Sequence, residues 1–362
     1  MPRDVTHIIL ADEVANKVIN KKEILENLNA FHMGCVALDS FLYTASPMLS
    51  TRLHGGLGDD TRAVVFEMIK RQKTEKNPQK AAEQKAFIYG YVCHMATDIA
   101  FHPLIYSISG SQLKKNNHKK GNVTLSKSCH RYAETWLDLF LMRKKNLTFE
   151  NFKPFQKIIT DFARRIRLDD FFTDCFQYAL KAKKYTWGDN FDLQAQFHNG
   201  MTRQLLVDEM TQNKSIAENV HKLDTILQGK LKLYAAGFYD LDADIPQRLT
   251  AASFVHPTTG KIINKSIKDL EQEAVNNSAA YIRAVDDYIK FGDRKAFDKV
   301  IPNINLDTGV ENSILSDIKM TITREAYKAL SKMKCCNKEN SASKETKINL
   351  LFSFKKKREN NH

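Results

Sequence analysis

Apolar positions recur at three- and four-residue spacing through most long segments of the 362-residue chain, the period of a helix with one face turned to a core. The pattern predicts helices over roughly 8–30, 59–76, 80–101, 127–144, 151–165, 168–183, 189–211, 215–236, 266–292 and 311–333. No segment shows the two-residue alternation of a half-buried strand. Glycine and proline number 14 and 8, too few to punctuate a sheet protein, so the expected fold class is all-α. Two stretches interrupt the periodicity. SISGSQLKKNNHKKGNVTLSKS, residues 107–128, reads as a polar, basic surface loop, and DLDADIPQRLTAASFVHPTTGK, residues 240–261, separates the central helices from the last two.

Composition divides the chain into a helical domain, 1–333, and a tail, 334–362, whose eight Lys/Arg against three Asp/Glu hold +5 of the formal +13. At 43% hydrophobic residues the domain can bury a core without covalent staples. The six cysteines form no spaced framework, no leader pattern opens the chain, and no apolar run approaches a membrane span. These features favour a cytoplasmic, reducing location, with export without a Sec-type leader or peripheral membrane attachment as the alternative. In the tail, INLLFSF at 348–354 precedes KKKR and follows Cys335 and Cys336, a composition suited either to a peripheral anchor on an anionic membrane surface or to a solvated tail. The net charge invites nucleic acid or anionic surfaces without choosing between them.

The stretch GYVCHMATDIAFHP, residues 90–103, carries the densest chemistry. His94, Asp98 and His102 follow one another at four-residue steps, and residues four apart share a helix face, so His94 and Asp98 can hold one ion. Pro103 disfavours helical geometry at the residue before it; the helix is expected to end near Phe101, with His102 projecting from its exit towards a second ion. Asp98, having two oxygens, is suited to bridge two cations. CHRYAETWLD repeats the spacing with His130 and Glu134, and Asp138 either orients a histidine or faces solvent. A buried carboxylate without a partner costs several kcal/mol or is forced to protonate, and imidazole with carboxylate is the ligand mix of zinc. THII offers His7, GCVALDSF offers Asp39, and RLHGGLGDD offers His54 in a glycine-flanked loop. His32 is expected to pack, His118 to sit on the surface, Asp59 and Asp60 to cap the following helix, and Cys35, Cys93 and Cys129 to act as small buried hydrophobes.

Taken in order, MPRDVTH, FHMGCVALD, LHGGLGDD, GYVCHMATDIAFHP and CHRYAETWLD resemble the zinc-dependent phospholipase C family, whose all-helical fold is shared with zinc single-strand nucleases. VHPTTGKIINKSIKDLEQEA is similar to that family's Pro-x-x-Gly turn and the serine-started helix after it. The metal-bearing resemblance covers residues 1–145 and the weaker later match extends it to about 292. The resemblance implies Asp39, His54, His94 and Asp98 as ligands of a first zinc ion, His102, His130 and Glu134 of a second, and His7 with bridging Asp98 of a third. It implies that hydroxide from zinc-bound water cuts the glycerol–phosphate bond of a phospholipid substrate, assisted by Asp39. A nuclease or nucleotidase on the same fold, and a metal-bearing binding protein without turnover, are the alternatives. Secreted members use a processed N-terminal tryptophan as a ligand of the third ion; here the chain begins MPRDVTH and the first tryptophan is Trp136. The third site is therefore expected to be incomplete or built differently, giving two or three ions. Leu38 stands where the family has proline, and His102 follows Asp98 at a shorter spacing than in secreted enzymes.

Overall fold

The computed structural model describes residues 4–110, 120–153, 162–183, 191–213 and 247–319, with the single positions 158, 215, 216, 219 and 245. Among these the helices are α1 Asp4–Lys17, α2 Lys21–Glu26, α3 Leu28–Val36, α4 Met48–Leu53, α5 Ala63–Thr74, α6 Pro78–Ser109, α7 Lys120–Lys144, α8 Phe162–Ala182, α9 Leu193–Thr211, α10 Ile267–Phe291 and α11 Arg294–Val300. Two 3₁₀ segments, Ala37–Tyr43 and Leu315–Asp317, and two antiparallel two-residue strands, β1 Phe254–Val255 and β2 Ile262–Ile263, complete the set. The helical class expected from the periodicity is the class observed. The tail 334–362, with its two cysteines and its apolar–basic run, lies outside the described residues, as do His118, His221, residues 320–333 and most of 215–236.

The organising element is α6. Asn77 caps it by accepting the Lys80 N–H at 3.0 Å, and Pro78 supplies a first-turn residue with no amide to satisfy. It does not stop at Phe101. Pro103 removes the hydrogen bond to the Ile99 carbonyl, a cost of about 3 kcal/mol in a helix interior. The turn that follows, however, buries Leu104, Ile105 and Ile108, each worth about 1.5–3 kcal/mol. Packing outweighs the lost bond, and the helix runs on to Ser109. Gly309, at φ +67°, packs its backbone over this proline, where a side chain would come within 2.9 Å of Pro103 Cγ.

Other expectations need correction. The helix predicted over 8–30 is three helices, broken at Asn20 and Asn27, where Asn27 turns its amide onto the Glu23 carbonyl at 3.0 Å. The surface loop 107–128 is narrower than expected, since α6 reaches Ser109 and α7 starts at Lys120. No break separates 165 from 168 in α8. Residues 311–319 hold only the 3₁₀ turn Leu315–Asp317 and no α-helix, and α4 and α11 were not legible as periodic segments. The short hairpin β1–β2 lies inside the stretch read as irregular.

Helices α3 and α10 flank α6, with α1 packed on the same group. The α3–α6 crossing is main chain against main chain. A methyl on Gly34 would lie 2.1 Å from the Phe87 oxygen, and one on Gly90 1.9 Å from the Phe31 oxygen. A similar approach brings α9 onto the 3₁₀ segment, where a methyl on Gly200 would lie 2.3 Å from the Ser40 oxygen. Gly90→Ala should therefore lower the thermal midpoint of the metal-loaded protein, with a loss of about 3 kcal/mol or more against the usual range for overpacking; an unchanged melt would contradict the crossing.

Candidate metal centre

Because α6 continues through Pro103, His94, Asp98 and His102 lie along one face of a single helix, and His102 does not project from an exit. His7 comes from the first turns of α1, Asp39 from the 3₁₀ segment after α3, His54 from the residue following α4, and His130 and Glu134 from one face of α7. The eight residues are buried, none more than 3% exposed. Three groups of ligand atoms gather within 4.8 Å: His7, His94 and Asp98; Asp39, His54 and His94; His102, His130 and Glu134.

Asp98 sits between them. Its Oδ2 lies 2.9 Å from His94 Nε2 and 3.1 Å from His54 Nε2. Its Oδ1 lies 3.4 Å from His7 Nε2 and 3.6 Å from His102 Nε2. Neither oxygen makes a hydrogen bond, and the same holds for Asp39 Oδ1, His102 Nε2 and both His7 nitrogens. The far side of each ring gives the reason. His94 Nδ1 donates to the Cys35 carbonyl at 2.7 Å, His54 Nδ1 to the Ser50 carbonyl at 2.6 Å, and His102 Nδ1 to the Leu306 carbonyl at 2.7 Å. A neutral imidazole that spends its proton on a carbonyl presents a lone pair at Nε2. Lone pairs therefore face carboxylate oxygens across about 3 Å, an arrangement that repels unless a metal ion or a proton lies between them. His130 is backed in the same sense by Ser109 Oγ at 3.2 Å, and its Nε2 lies 3.0 Å from Glu134 Oε1. Imidazole and carboxylate donors in such number fit zinc.

Burial shapes the protonation of this cluster. It lowers His7, drives His102 well below the ordinary imidazole value, and brings His130 down to about 4 with Glu134 acting against it. Neutral imidazoles are the form that binds metal. His54 goes the other way: burial would lower it, yet the Asp39 and Asp98 carboxylates raise it well above its usual value. Burial would likewise raise Asp98, but the imidazoles of His102, His94, His54 and His7 around it hold it well below the carboxylate range.

Supporting residues extend the site. Asp138 is buried, not solvated; it accepts the Thr6 N–H at 2.9 Å and the Thr6 hydroxyl at 2.5 Å, closing the first turn of α1 just ahead of His7. His32 binds Asp12 at 2.6 Å in addition to packing. Asp59 pairs with Arg52 at 3.0 Å instead of capping α5, while Asp60 accepts the Arg62 N–H at 2.9 Å just before that helix begins. His198 pairs with Asp169, and His256 accepts the Thr258 and Thr259 amides within the hairpin turn. Cys35, Cys93 and Cys129 are buried and form no disulfide.

Asp307 was not foreseen. It accepts the Tyr106 hydroxyl at 3.2 Å and lies 3.8 Å from His102 Nδ1, and burial raises its carboxyl. Asn305 shapes its loop by accepting the amides of Asp307 and Thr308 at 2.9 and 3.0 Å. The Asn-x-Asp-Thr-Gly run at 305–309 is the one sequence signal that marked a structured turn here.

The fold and site define an all-helical protein with a buried, multi-donor imidazole–carboxylate centre suited to zinc. The family model for zinc-dependent phospholipase C matches residues 6–188, half of the chain, and the chain belongs to that family. None of the curated proteins and none of the solved structures matches it. Among the described residues no helix is long and apolar enough to cross a membrane.

Two outcomes follow from the geometry. Asp98→Asn, which touches four imidazoles, should reduce zinc per chain by elemental analysis more than Glu134→Gln; equal small losses would mark Asp98 as a structural hydrogen-bond partner. In the metal-free protein the unfolded chain binds protons at His130 before the folded chain does, because the folded value is about 4 against 6.5. Stability should therefore fall as pH drops through that window, by about 3 kcal/mol from His130 alone. Urea denaturation in chelator at several pH values measures it, and a flat profile would contradict a buried neutral imidazole.

Proposed function

We propose that the chain is a zinc-dependent phospholipase C that hydrolyses the glycerol–phosphate ester of phospholipids, releasing diacylglycerol and a phosphorylated headgroup. The observation that carries this reading is the unbonded Asp98 carboxylate, with four imidazole nitrogens within 3.6 Å, in a chain of this family. Asp39, His54, His94 and Asp98 would hold one ion; His102, His130 and Glu134 a second; and His7, with a shared Asp98 oxygen, would belong to a third.

When bound, zinc supplies an acidified water and positive charge for the phosphate oxygens. The protein's own groups do the rest. Three carboxylates cannot neutralise two or three divalent ions, so the loaded centre would attract a phosphodiester. Asp39 Oδ1 lies 3.4 Å from His54 Nε2 and is without a hydrogen bond, which supports a role for this carboxylate in orienting the attacking water and taking its proton. The carbonyls of Cys35, Ser50 and Leu306 fix the three rings, so the donor set needs little rearrangement on binding.

The zinc-loaded chain should release diacylglycerol from mixed phospholipids, and Asp39→Asn should lower kcat by about 10²–10⁴, the range for a lost general base, with zinc content measured alongside. Release of acid-soluble nucleotides from single-stranded DNA without diacylglycerol would move the assignment to the nuclease branch of the fold. Bound zinc with no turnover of either substrate would leave a metal-bearing binding protein.

A further inference from the structure

The hairpin β1–β2 lies at the same end of the molecule as the metal donors. The Leu306 N–H donates to the His54 carbonyl at 2.9 Å, the Leu315 N–H to Gly56 at 3.0 Å, and the Lys319 N–H to Pro257 in the hairpin turn at 2.9 Å. Residues 306–319 thus form a strap from the loop that carries His54 to the hairpin.

Apolar side chains face outward on this strap and on the loop and hairpin it joins. Leu57, between two glycines, is 46% exposed, and Ile314, which packs over Gly58, is 39% exposed. In the hairpin Val255 and Ile262 are directly opposed and are 40% and 68% exposed. Alternation along the strand sets this outcome: Phe254 packs against the core, so Val255 and its partner must turn away. The turn is held rigid. The His256 N–H donates to the Lys261 carbonyl at 2.8 Å, the Gly260 N–H to the His256 carbonyl at 2.9 Å, and His256 Nδ1 accepts the amides of Thr258 and Thr259 at 3.3 Å. Two β-branched side chains are therefore kept in water by a framework that cannot fold them inward.

Charge selects the occupant. Residues 254–265 include Lys261 and Lys265 and no Asp or Glu. Lys265 is paired with Glu273, but Lys261 is exposed, and exposed Lys319 adjoins the turn. The nearest acids on the strap are engaged: Asp317 accepts the Ile314 N–H at 2.8 Å, and Glu311 lies within electrostatic reach of Arg62. Apolar side chains flanked by lysine suit the boundary between acyl chains and anionic headgroups.

We infer that this end of the molecule docks on an anionic phospholipid bilayer, with Val255, Ile262, Leu57 and Ile314 at the acyl boundary and Lys261 and Lys319 against lipid phosphates. The inference rests on the phospholipid reading of the metal centre and adds the face that meets the bilayer.

The test uses the full zinc-loaded chain, the double variant Val255→Ser with Ile262→Ser, and separately Lys261→Glu, a surface change that keeps the test open if the double variant melts early. Each is assayed on vesicles of mixed phosphatidylcholine and phosphatidylglycerol and on dissolved short-chain phosphatidylcholine, with vesicle cosedimentation in parallel. Hydrolysis of vesicles should fall about tenfold in the double variant and cosedimentation should weaken in both, while turnover of the dissolved substrate stays within about twofold. Unchanged cosedimentation and vesicle turnover, or equal losses on both substrates, would overturn the docking face. A wild type that cosediments but hydrolyses neither substrate would sink the phospholipase reading and leave the docking face standing.

Discussion

Asp98 is closed off from solvent with four imidazole nitrogens within 3.6 Å of its two oxygens, and a carboxylate in that position is costly unless a cation shares it. Much of the surrounding architecture serves that requirement. Carbonyls from α3, α4 and the 306–319 strap each take an Nδ1 proton, which turns the rings' lone pairs inward. Asp138, from the helix that carries His130 and Glu134, secures the turn that carries His7. The Asp98 oxygens and the His7 and His102 Nε2 atoms are buried without a hydrogen bond, which is the state of donors whose partner is an ion.

What the sequence disclosed depended on whether a side chain or the main chain does the work. The four-residue steps from His94 to His102 and from His130 to Glu134 were visible as polar marks on apolar helices. So were His7, Asp39 and His54, once placed in order. Pro103 misled, because a rule about one residue's local geometry cannot weigh Leu104, Ile105 and Ile108 packing beyond it. The strap was invisible for a different reason: Leu306 contributes a carbonyl, and nothing in an Asn-Leu-Asp run announces a backbone acceptor for a histidine far back in the chain. Asp307 stayed hidden with it.

The eight candidate donors all fall within the family-matched stretch 6–188, but the acceptor behind His102 does not. The later part of the chain is therefore more than an appendage to the donor set. It orients one imidazole, fills the notch over Pro103 with Gly309, and carries the apolar hairpin at the same end. Local order at the donors and the outward character of that surface are linked through one stretch of main chain.

The contact of α3 with α6 through Gly34 and Gly90 has a consequence for how such a protein can drift. The carbonyl that holds His94 belongs to Cys35, and its position is set by two helices touching without side chains between them. The thiol itself takes no part. Exchange of Cys35 for another small residue would leave the ring where it is, whereas either glycine admits no replacement without moving it. Sequences could diverge at the residues that orient the site and stay fixed at ones that never approach it.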